Sequence, residues 1–339
     1  MNLAELRENA REKLKGYCRV CPVCNGRVCA GEVPGMGGAG TGRSFVANVE
    51  ALAACRFNMR TIHEVKAVDT SMDLWGKKLS VPVLAAPITG TTYNMGGKIT
   101  EGEFIEAIIS GSLLAGTLGM TGDAADPALW DSGMKAISSN RDRAIAIIKP
   151  REQKEIISRM RDAEKAGAAA VGMDIDGAGL VTMALKGQPV SPKTVREIKE
   201  VVSATKLPFI LKGIMTSIEA ELAVEAGAAA IVVSNHGGRV LDHTPGTAAV
   251  LPGIADRVKG KLIILVDGGV RSGADVLKLL ALGADAVLVG RPLIVGAFGG
   301  GAEGVALLIN KMKDELVQAM LLTGTPDVKC VKKEILYSA

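Results

Sequence analysis

Eight short apolar runs recur along the chain: Val81–Ala86, Ser112–Thr117, Ala144–Ile148, Ala170–Ile175, Pro208–Leu211, Ala229–Ser234, Leu262–Val266 and Ala286–Val289. Their spacing, roughly 20 to 40 residues, is that of strands alternating with helices. Most lack the polar alternation of a half-exposed sheet, so they read as strands buried on both faces. The segments between them carry helix signals. Thr216 with Glu219 three residues on is a capping box, Ser191-Pro192 places a proline at a helix start, and Ser272 can cap a helix beginning near Ala274. Three helices end alike, at Ala166-Gly167-Ala168, Ala226-Gly227-Ala228 and Leu282-Gly283-Ala284, each followed by a strand. These echoes predict an α/β fold of eight βα units closed as a (β/α)8 TIM barrel. A doubly wound open sheet is the runner-up, but no Gly-x-Gly-x-x-Gly turn follows the first strand.

Composition narrows the picture. The chain has 339 residues, 48% of them hydrophobic but only 3% aromatic, so Ala, Val, Leu, Ile and Met must build the interior. The expected organisation is a helical, cysteine-rich extension over residues 1–70, then the barrel over residues 71–339, with a closing helix after Gly301. A net charge of +4 with interspersed signs argues against a nucleic-acid surface and leaves small anions open as ligands. The first residues form a charged, helix-like segment rather than a signal peptide. No apolar stretch reads as long enough to span a bilayer, and a cytoplasmic, homo-oligomeric protein is expected. Four of the six cysteines crowd together as Cys18, Cys21, Cys24 and Cys29. In a reducing compartment that density favours metal or iron–sulfur ligation over disulfides, whereas Cys55 and Cys330 read as ordinary small residues.

In a barrel of this kind, chemistry sits where strands end and loops begin. The polar residues fall there. Asp174 and Asp176 close the fourth strand and Lys212 the fifth; Ser234-Asn-His-Gly-Gly-Arg239 follows the sixth, Asp267 and Arg271 the seventh, Gly290 and Arg291 the eighth. A neutral His236 can take a proton near pH 7, and Arg239 can grip a carboxylate through paired hydrogen bonds. Gly268-Gly269-Val270-Arg271 and Gly290-Arg291 suit a phosphate, although tight βα turns with surface arginines have the same look. Lys212 points into the mouth as a cation that could stabilise negative charge on a bound ligand, or serves as a salt-bridged strut. Asp176 or Asp174 can orient the imidazole, and either can instead cap the next helix.

Three stretches, Ser234-Asn-His-Gly-Gly-Arg-Val-Leu-Asp242, Asp267-Gly-Gly-Val-Arg-Ser-Gly-Ala-Asp-Val276 and Leu282-Gly-Ala-Asp-Ala-Val-Leu-Val-Gly-Arg-Pro292, resemble the FMN-dependent α-hydroxy-acid oxidases and dehydrogenases, a family that includes glycolate and lactate oxidases. The resemblance implies oxidation of a 2-hydroxy acid to a 2-oxo acid with two electrons passing to FMN, by hydride transfer or through a carbanion. It implies His236 as the base, Arg239 as the carboxylate ligand, Asp176 as the group orienting His236, and Lys212 at the flavin ring. Ala86 and Pro87, after the first strand, would contact the flavin, as would Thr117, Ser234, Gly237 and Asp267. Gly269, Arg271, Gly290 and Arg291 would hold the phosphate. An FMN-dependent isomerase and a non-catalytic flavin-binding protein are the alternatives, and the electron acceptor is oxygen or a redox protein.

The chain also departs from that pattern. Two substrate-side tyrosines are missing: the third-strand position falls at Ala146, and the N-terminal one falls in the glycine-rich stretch from Pro34 to Thr41. Neither Tyr17 nor Tyr93 is expected to replace them. A second substrate-side arginine is absent from Gly177-Ala178-Gly179-Leu180. Losing groups that pair with substrate changes specificity strongly, so simple glycolate or lactate is not the expected substrate. The cysteine cluster lies outside the family pattern, and its spacing suits tetrahedral zinc or part of a ferredoxin-type iron–sulfur run.

Overall fold

The computed structural model describes residues 1–337. The chain opens with α1 (Leu3–Lys13) and α2 (Arg43–Ala54), then a hairpin of β1 (Met72–Leu74) and β2 (Lys77–Leu79). Eight parallel strands follow: β3 (Val83–Ala85), β4 (Gly119–Gly122), β5 (Ala144–Ile148), β6 (Ala170–Asp174), β7 (Phe209–Ile214), β8 (Ala230–Val233), β9 (Ile263–Val266) and β10 (Ala286–Val289). They close in the order β10-β3-β4-β5-β6-β7-β8-β9, the (β/α)8 TIM barrel that the apolar runs predict. The wall and the loops carry α3 (Thr91–Asn94), α4 (Glu101–Leu114), α5 (Pro127–Ser139), α6 (Gln153–Ala166), α7 (Val181–Leu185), α8 (Val195–Ser203), α9 (Ser217–Glu225), α10 (Thr247–Val258), α11 (Gly273–Ala281) and α12 (Arg291–Thr323).

Alternate residues of each strand face the barrel axis. The inner set, including Leu84, Met120, Ile145, Ile147, Ile210, Val232, Leu265 and Leu288, packs as one cluster separate from the outer core between strands and helices. Leu74 and Leu79 of the hairpin join that inner cluster, with Met72 and Trp75 against it, and so plug the end from which the strands start. Carried on by two residues toward the opposite end, the same phase turns polar. Lys149 follows Ile147, Asp174 follows Gly172, Lys212 follows Ile210, Ser234 follows Val232 and Asp267 follows Leu265. The sequence therefore places its chemistry on the axis simply by continuing the strand rhythm.

Four expectations need correction. Ser112–Thr117 is not a strand: Ser112 still belongs to α4, its hydroxyl donating to the Ile108 carbonyl at 2.7 Å, and the second barrel strand is the Gly-Met-Thr-Gly segment of β4. The apolar helix runs straight into its loop, so hydropathy alone does not mark the border. As a result Thr117 precedes β4, with its hydroxyl on the Val83 carbonyl at 2.5 Å, at the plugged end and away from the mouth. Helix α8 starts not at Ser191-Pro192 but after Thr194, which forms a reciprocal capping box with Glu197. The 33-residue α12 is, by length and composition, apolar enough to cross a membrane, contrary to the expectation that no stretch is. Its backbone breaks at Gly300 and Gly301, and Leu293, Phe298, Val305 and Leu316 are buried in the outer core. Ser272 forms a capping box with Asp275 as read, whereas Thr216 caps its helix only through the Glu219 amide, without the reciprocal bond that the sequence suggests.

Leu74 is fully buried in the plug. Leu74→Ala should lower stability by about 2–5 kcal/mol, the usual cost of an apolar cavity, read as a reduced midpoint in urea unfolding.

Candidate active site

The mouth above the strand ends holds a void of about 1140 Å³, counting its open side. Of the expected residues, Ala86, Pro87, Lys212, His236, Gly237, Arg239, Asp267, Gly269, Arg271, Gly290 and Arg291 all line it. Ser234 stands one step behind, fully buried, its hydroxyl 3.1 Å from the Lys212 ammonium and accepting the His236 amide at 3.0 Å. Asp176 also stands behind, while Thr117 is excluded by its place at the far end.

His236 sits on a strained loop. His236, Gly237 and Gly238 all adopt left-handed backbone, with φ of 57°, 62° and 79°. Such a conformation is rare for a residue with a Cβ and persists only where its surroundings enforce it. Enforcement comes from Asn235, whose side-chain oxygen accepts the Gly238 amide at 3.1 Å and the Asn48 amide of α2 at 2.8 Å. A Cβ on Gly238 would lie 2.4 Å from the Phe45 nitrogen, so the loop and α2 meet backbone to backbone. A bulge in β7 contributes in the same way: Gly213, with φ of 104°, lets Asp176 press against the strand beside Lys212.

Asp174 is the hub of the charges. Its carboxylate lies 2.6 Å from the Lys149 ammonium, 3.3 Å from Lys212 and 3.5 Å from Nδ1 of His236. Asp176 is closer to the ring, 3.0 Å from the same Nδ1, and Lys212 also reaches Asp267 at 3.5 Å. Burial would raise the Asp174 pKa, but His236, Lys149 and Lys212 hold it well below the carboxylate range. Asp176 is pushed up, by burial and by its neighbour Asp174. Burial would strip the proton from Lys212, and Asp174 and Asp267 more than offset this. The same contest at His236, burial against Asp174 and Asp176, also ends with the pKa raised. Two lysines and three aspartates leave one negative charge, which an imidazolium cancels. With Nδ1 engaged by a carboxylate, Nε2 is the nitrogen left for a ligand.

Three arginines crowd the other side of the void. Arg239 donates to the Gly35 carbonyl at 2.5 Å and to the Asn94 side chain at 3.1 Å. Arg291 lies over the Phe45 ring at 3.8 Å and donates to the carbonyls of Met36, Gly37 and Gly237. Arg271 donates to the Cys24 carbonyl and, at 3.4 Å, to its sulfur. Among the described residues none of the three has a carboxylate partner. Burial lowers Arg239 to about 10, and burial with the nearby Arg239 and Arg271 lowers Arg291 to about 9. Buried cations without counter-charges mark a place for anions. The Asp267 oxygen that Lys212 leaves free is likewise buried without a partner. This donor set suits FMN: two guanidiniums beside glycine turns for a phosphate, a cation and an unpaired acceptor for a polar ring, and a third guanidinium for a substrate carboxylate.

Several lining residues escaped the sequence reading. Ala146 faces the outer core; Ile147 of that strand and Lys149 just beyond its end reach the mouth, and both are recoverable by stepping in twos from Ile145. Tyr93, which was not expected to contribute, lines the void on the loop after β3. That loop is held by Glu101, which accepts the Gly90 and Thr91 amides at 3.0 and 2.8 Å. Burial and Glu101 raise the Tyr93 phenol to about 12. Asp123 also lines the mouth, locked to the fully buried Arg151 at 2.7 Å. No local motif announces Tyr93 or Asp123; tertiary packing brings them in.

A (β/α)8 barrel whose mouth gathers an imidazole, a buried ammonium and three guanidiniums with no carboxylate partner among the described residues fits a flavoenzyme that anchors its cofactor by a phosphate. The chain belongs to the FMN-dependent dehydrogenase family, whose model matches residues 35–184 and 181–338. It is 32% identical over 327 residues to a peroxisomal (S)-2-hydroxyacid oxidase of Arabidopsis thaliana, covering 86% of this chain and 87% of that protein. An L-lactate oxidase of Lactobacillus jensenii is 44% identical over 174 residues, half of this chain and 42% of that protein. Among solved structures, mandelate oxidase aligns with a TM-score of 0.77 at 30% identity over 99% of this chain and 98% of that one. A mandelate oxidase variant carrying an FMN adduct aligns at 0.78 and 29% identity, over 99% of both chains. The chain is thus an FMN-dependent oxidoreductase of the 2-hydroxy-acid oxidase and dehydrogenase group.

The charge cluster predicts opposite shifts for two substitutions. Lys149→Met removes a cation beside the ring and should raise the pH at which His236 titrates. Asp174→Asn removes the strongest counter-charge and should lower it. Proton NMR of the His236 ring reads both.

Proposed function

We propose that the protein oxidises a 2-hydroxy acid with an apolar side group to its 2-oxo acid, with His236 as base and Arg239 as carboxylate ligand. The observation that carries this reading is the His236 ring, held through Nδ1 by Asp176 and backed by Asp174, facing a void ringed by unpaired guanidiniums. FMN, when bound, accepts the electron pair that the substrate's carbinol carbon gives up. Gly269, Arg271, Gly290 and Arg291 hold its phosphate, while Ala86, Pro87, Gly237, Asp267 and Lys212 surround the ring. Lys212 stays protonated and so offers positive charge where negative charge accumulates.

His236 takes the substrate proton at Nε2, and the aspartates stabilise the resulting imidazolium. Protonation brings the buried cluster to neutrality, which favours the proton's arrival. Tyr93 and Lys149 supply the polar contacts that phenols supply in the pattern this chain departs from. Leu180 and Met183 line the same void and give the side group an apolar seat.

Anaerobic mixing of the purified protein with a panel of aliphatic and aromatic 2-hydroxy acids tests the reading through loss of the yellow flavin absorbance. His236→Gln should slow that loss by about 10²- to 10⁴-fold, the usual worth of a positioned base. Bleaching at the wild-type rate would refute the assignment. Because only the neutral ring can accept a proton, the wild-type rate should rise with pH through a midpoint above about 6.5, the ordinary imidazole value. Arg239→Met should weaken oxalate binding at least about tenfold, a charge-assisted hydrogen bond being worth about 1.5–3 kcal/mol. Equal affinity in both proteins would contradict the carboxylate role.

A further inference from the structure

A second cavity, about 1560 Å³ counting its open side, lies beneath the N-terminal segment. All four clustered cysteines line it, and all four are unpaired thiols. We propose that Cys18, Cys21, Cys24 and Cys29 hold a [4Fe–4S] cluster there, and that it carries electrons singly from the flavin site to a one-electron redox protein.

Sulfur spacing separates this from zinc. A tetrahedral zinc with bonds of about 2.3 Å draws its four sulfurs to within about 3.8 Å of one another. Among the described residues the one trio of ligand atoms within 4.8 Å is that of Asp174, Asp176 and His236, so no three of these sulfurs are gathered so closely. They line a wide hollow instead, one with room for a cubane. The spacing of Cys18, Cys21 and Cys24 matches three corners of a ferredoxin-type run, and Cys29 supplies a local fourth.

The walls suit an anionic, weakly hydrated guest. Leu6, Phe45, Leu308 and Met312 provide apolar surface, while Arg7, Arg271 and Arg291 provide charge without a carboxylate partner among the described residues. Arg7 and Arg271 also pin the cysteine loop, donating to the Cys21 carbonyl at 2.7 Å and the Cys24 carbonyl at 3.2 Å. The loop has no regular secondary structure, and the amides of Cys21, Cys24, Gly26 and Cys29 find no acceptor among the described residues, leaving them free to donate to cluster sulfurs. Met36, Arg271 and Arg291 line both cavities, so one layer of side chains separates the two sites.

The electron route rests on the proposed oxidation. Each substrate oxidised releases two electrons and two protons. The electrons leave in two successive one-electron reductions of the cluster, each followed by reoxidation by the redox protein, and the protons pass to solvent.

The test begins without substrate. Holoenzyme purified anaerobically, or reconstituted with ferrous iron and sulfide, should contain about four irons and four sulfides per chain and show the EPR signal of a one-electron-reduced cluster after dithionite. Cys21→Ser and Cys24→Ser should lose most of that iron, whereas Cys55→Ser keeps it. One zinc per chain that blocks iron uptake, two irons per chain, or no metal at all would each overturn the site. Adding (S)-mandelate, a 2-hydroxy acid with an apolar side group, to the loaded protein should then produce the same EPR signal. Flavin bleaching without it would overturn the electron route alone; an intact cluster with neither response would count against the proposed oxidation instead.

Discussion

One carboxylate, Asp174, sets the terms for the mouth of this barrel. It is buried between two ammonium groups and an imidazole, and the two lysines are themselves buried beside it. Removing one member of such a set leaves a stranded charge, a loss of about 3–5 kcal/mol, so the set stands or falls together. Its position follows from the two-residue step of β5, β6 and β7, which turns Lys149, Asp174 and Lys212 onto the axis one layer above the apolar plug. The packing rhythm of the strands thus fixes which polar groups meet, and their meeting fixes the protonation state of His236.

The N-terminal segment completes what the strands begin. Carbonyls of Gly35, Met36 and Gly37 receive the guanidiniums of Arg239 and Arg291, and α2 braces the His236 loop through Asn48 and Asn235. The strained run from His236 to Gly238 therefore depends on residues nearly two hundred positions earlier. Left-handed backbone at His236, the one residue of the run with a Cβ, costs about 1–3 kcal/mol and needs such bracing. The cover is part of the site rather than an appendage to the barrel.

Much of this was legible from the chain. Seven of the eight apolar runs overlap their strands, and polar residues at or after the ends of β6 to β10 line the mouth where the (β/α)8 reading puts them. The failures share a cause, since local pattern does not see register or distance. Ser112–Thr117 looked like a strand because an apolar helix ends there without a polar border, and β4 has no β-branched run to compete. Ala146 was mistaken for the mouth position because the phase of β5 is set by its neighbours in the barrel. Asp123 arrives by tertiary packing through Arg151 and carries no sequence signal of its own, while Tyr93, weighed for a missing hydroxyl and set aside, is brought to the mouth by a loop that Glu101 holds.

The arginines tie the mouth to its cover. A guanidinium offers five donors, and Arg271 and Arg291 spend only some of theirs on carbonyls, so both can take up an anion without abandoning the segment they hold. Carbonyls satisfy hydrogen bonds but leave charge uncompensated, as the lowered pKa values of Arg239 and Arg291 record. A phosphate beside Arg271 and Arg291 would supply the missing charge, raise both arginines toward their ordinary values, and tighten the cover whose carbonyls they already grip. Arg239 would then be the one guanidinium still without a counter-charge, on the side of the void that His236 faces. Filling the phosphate site in this way would leave Arg239 as the guanidinium open to a carboxylate, the role that the proposed oxidation gives it.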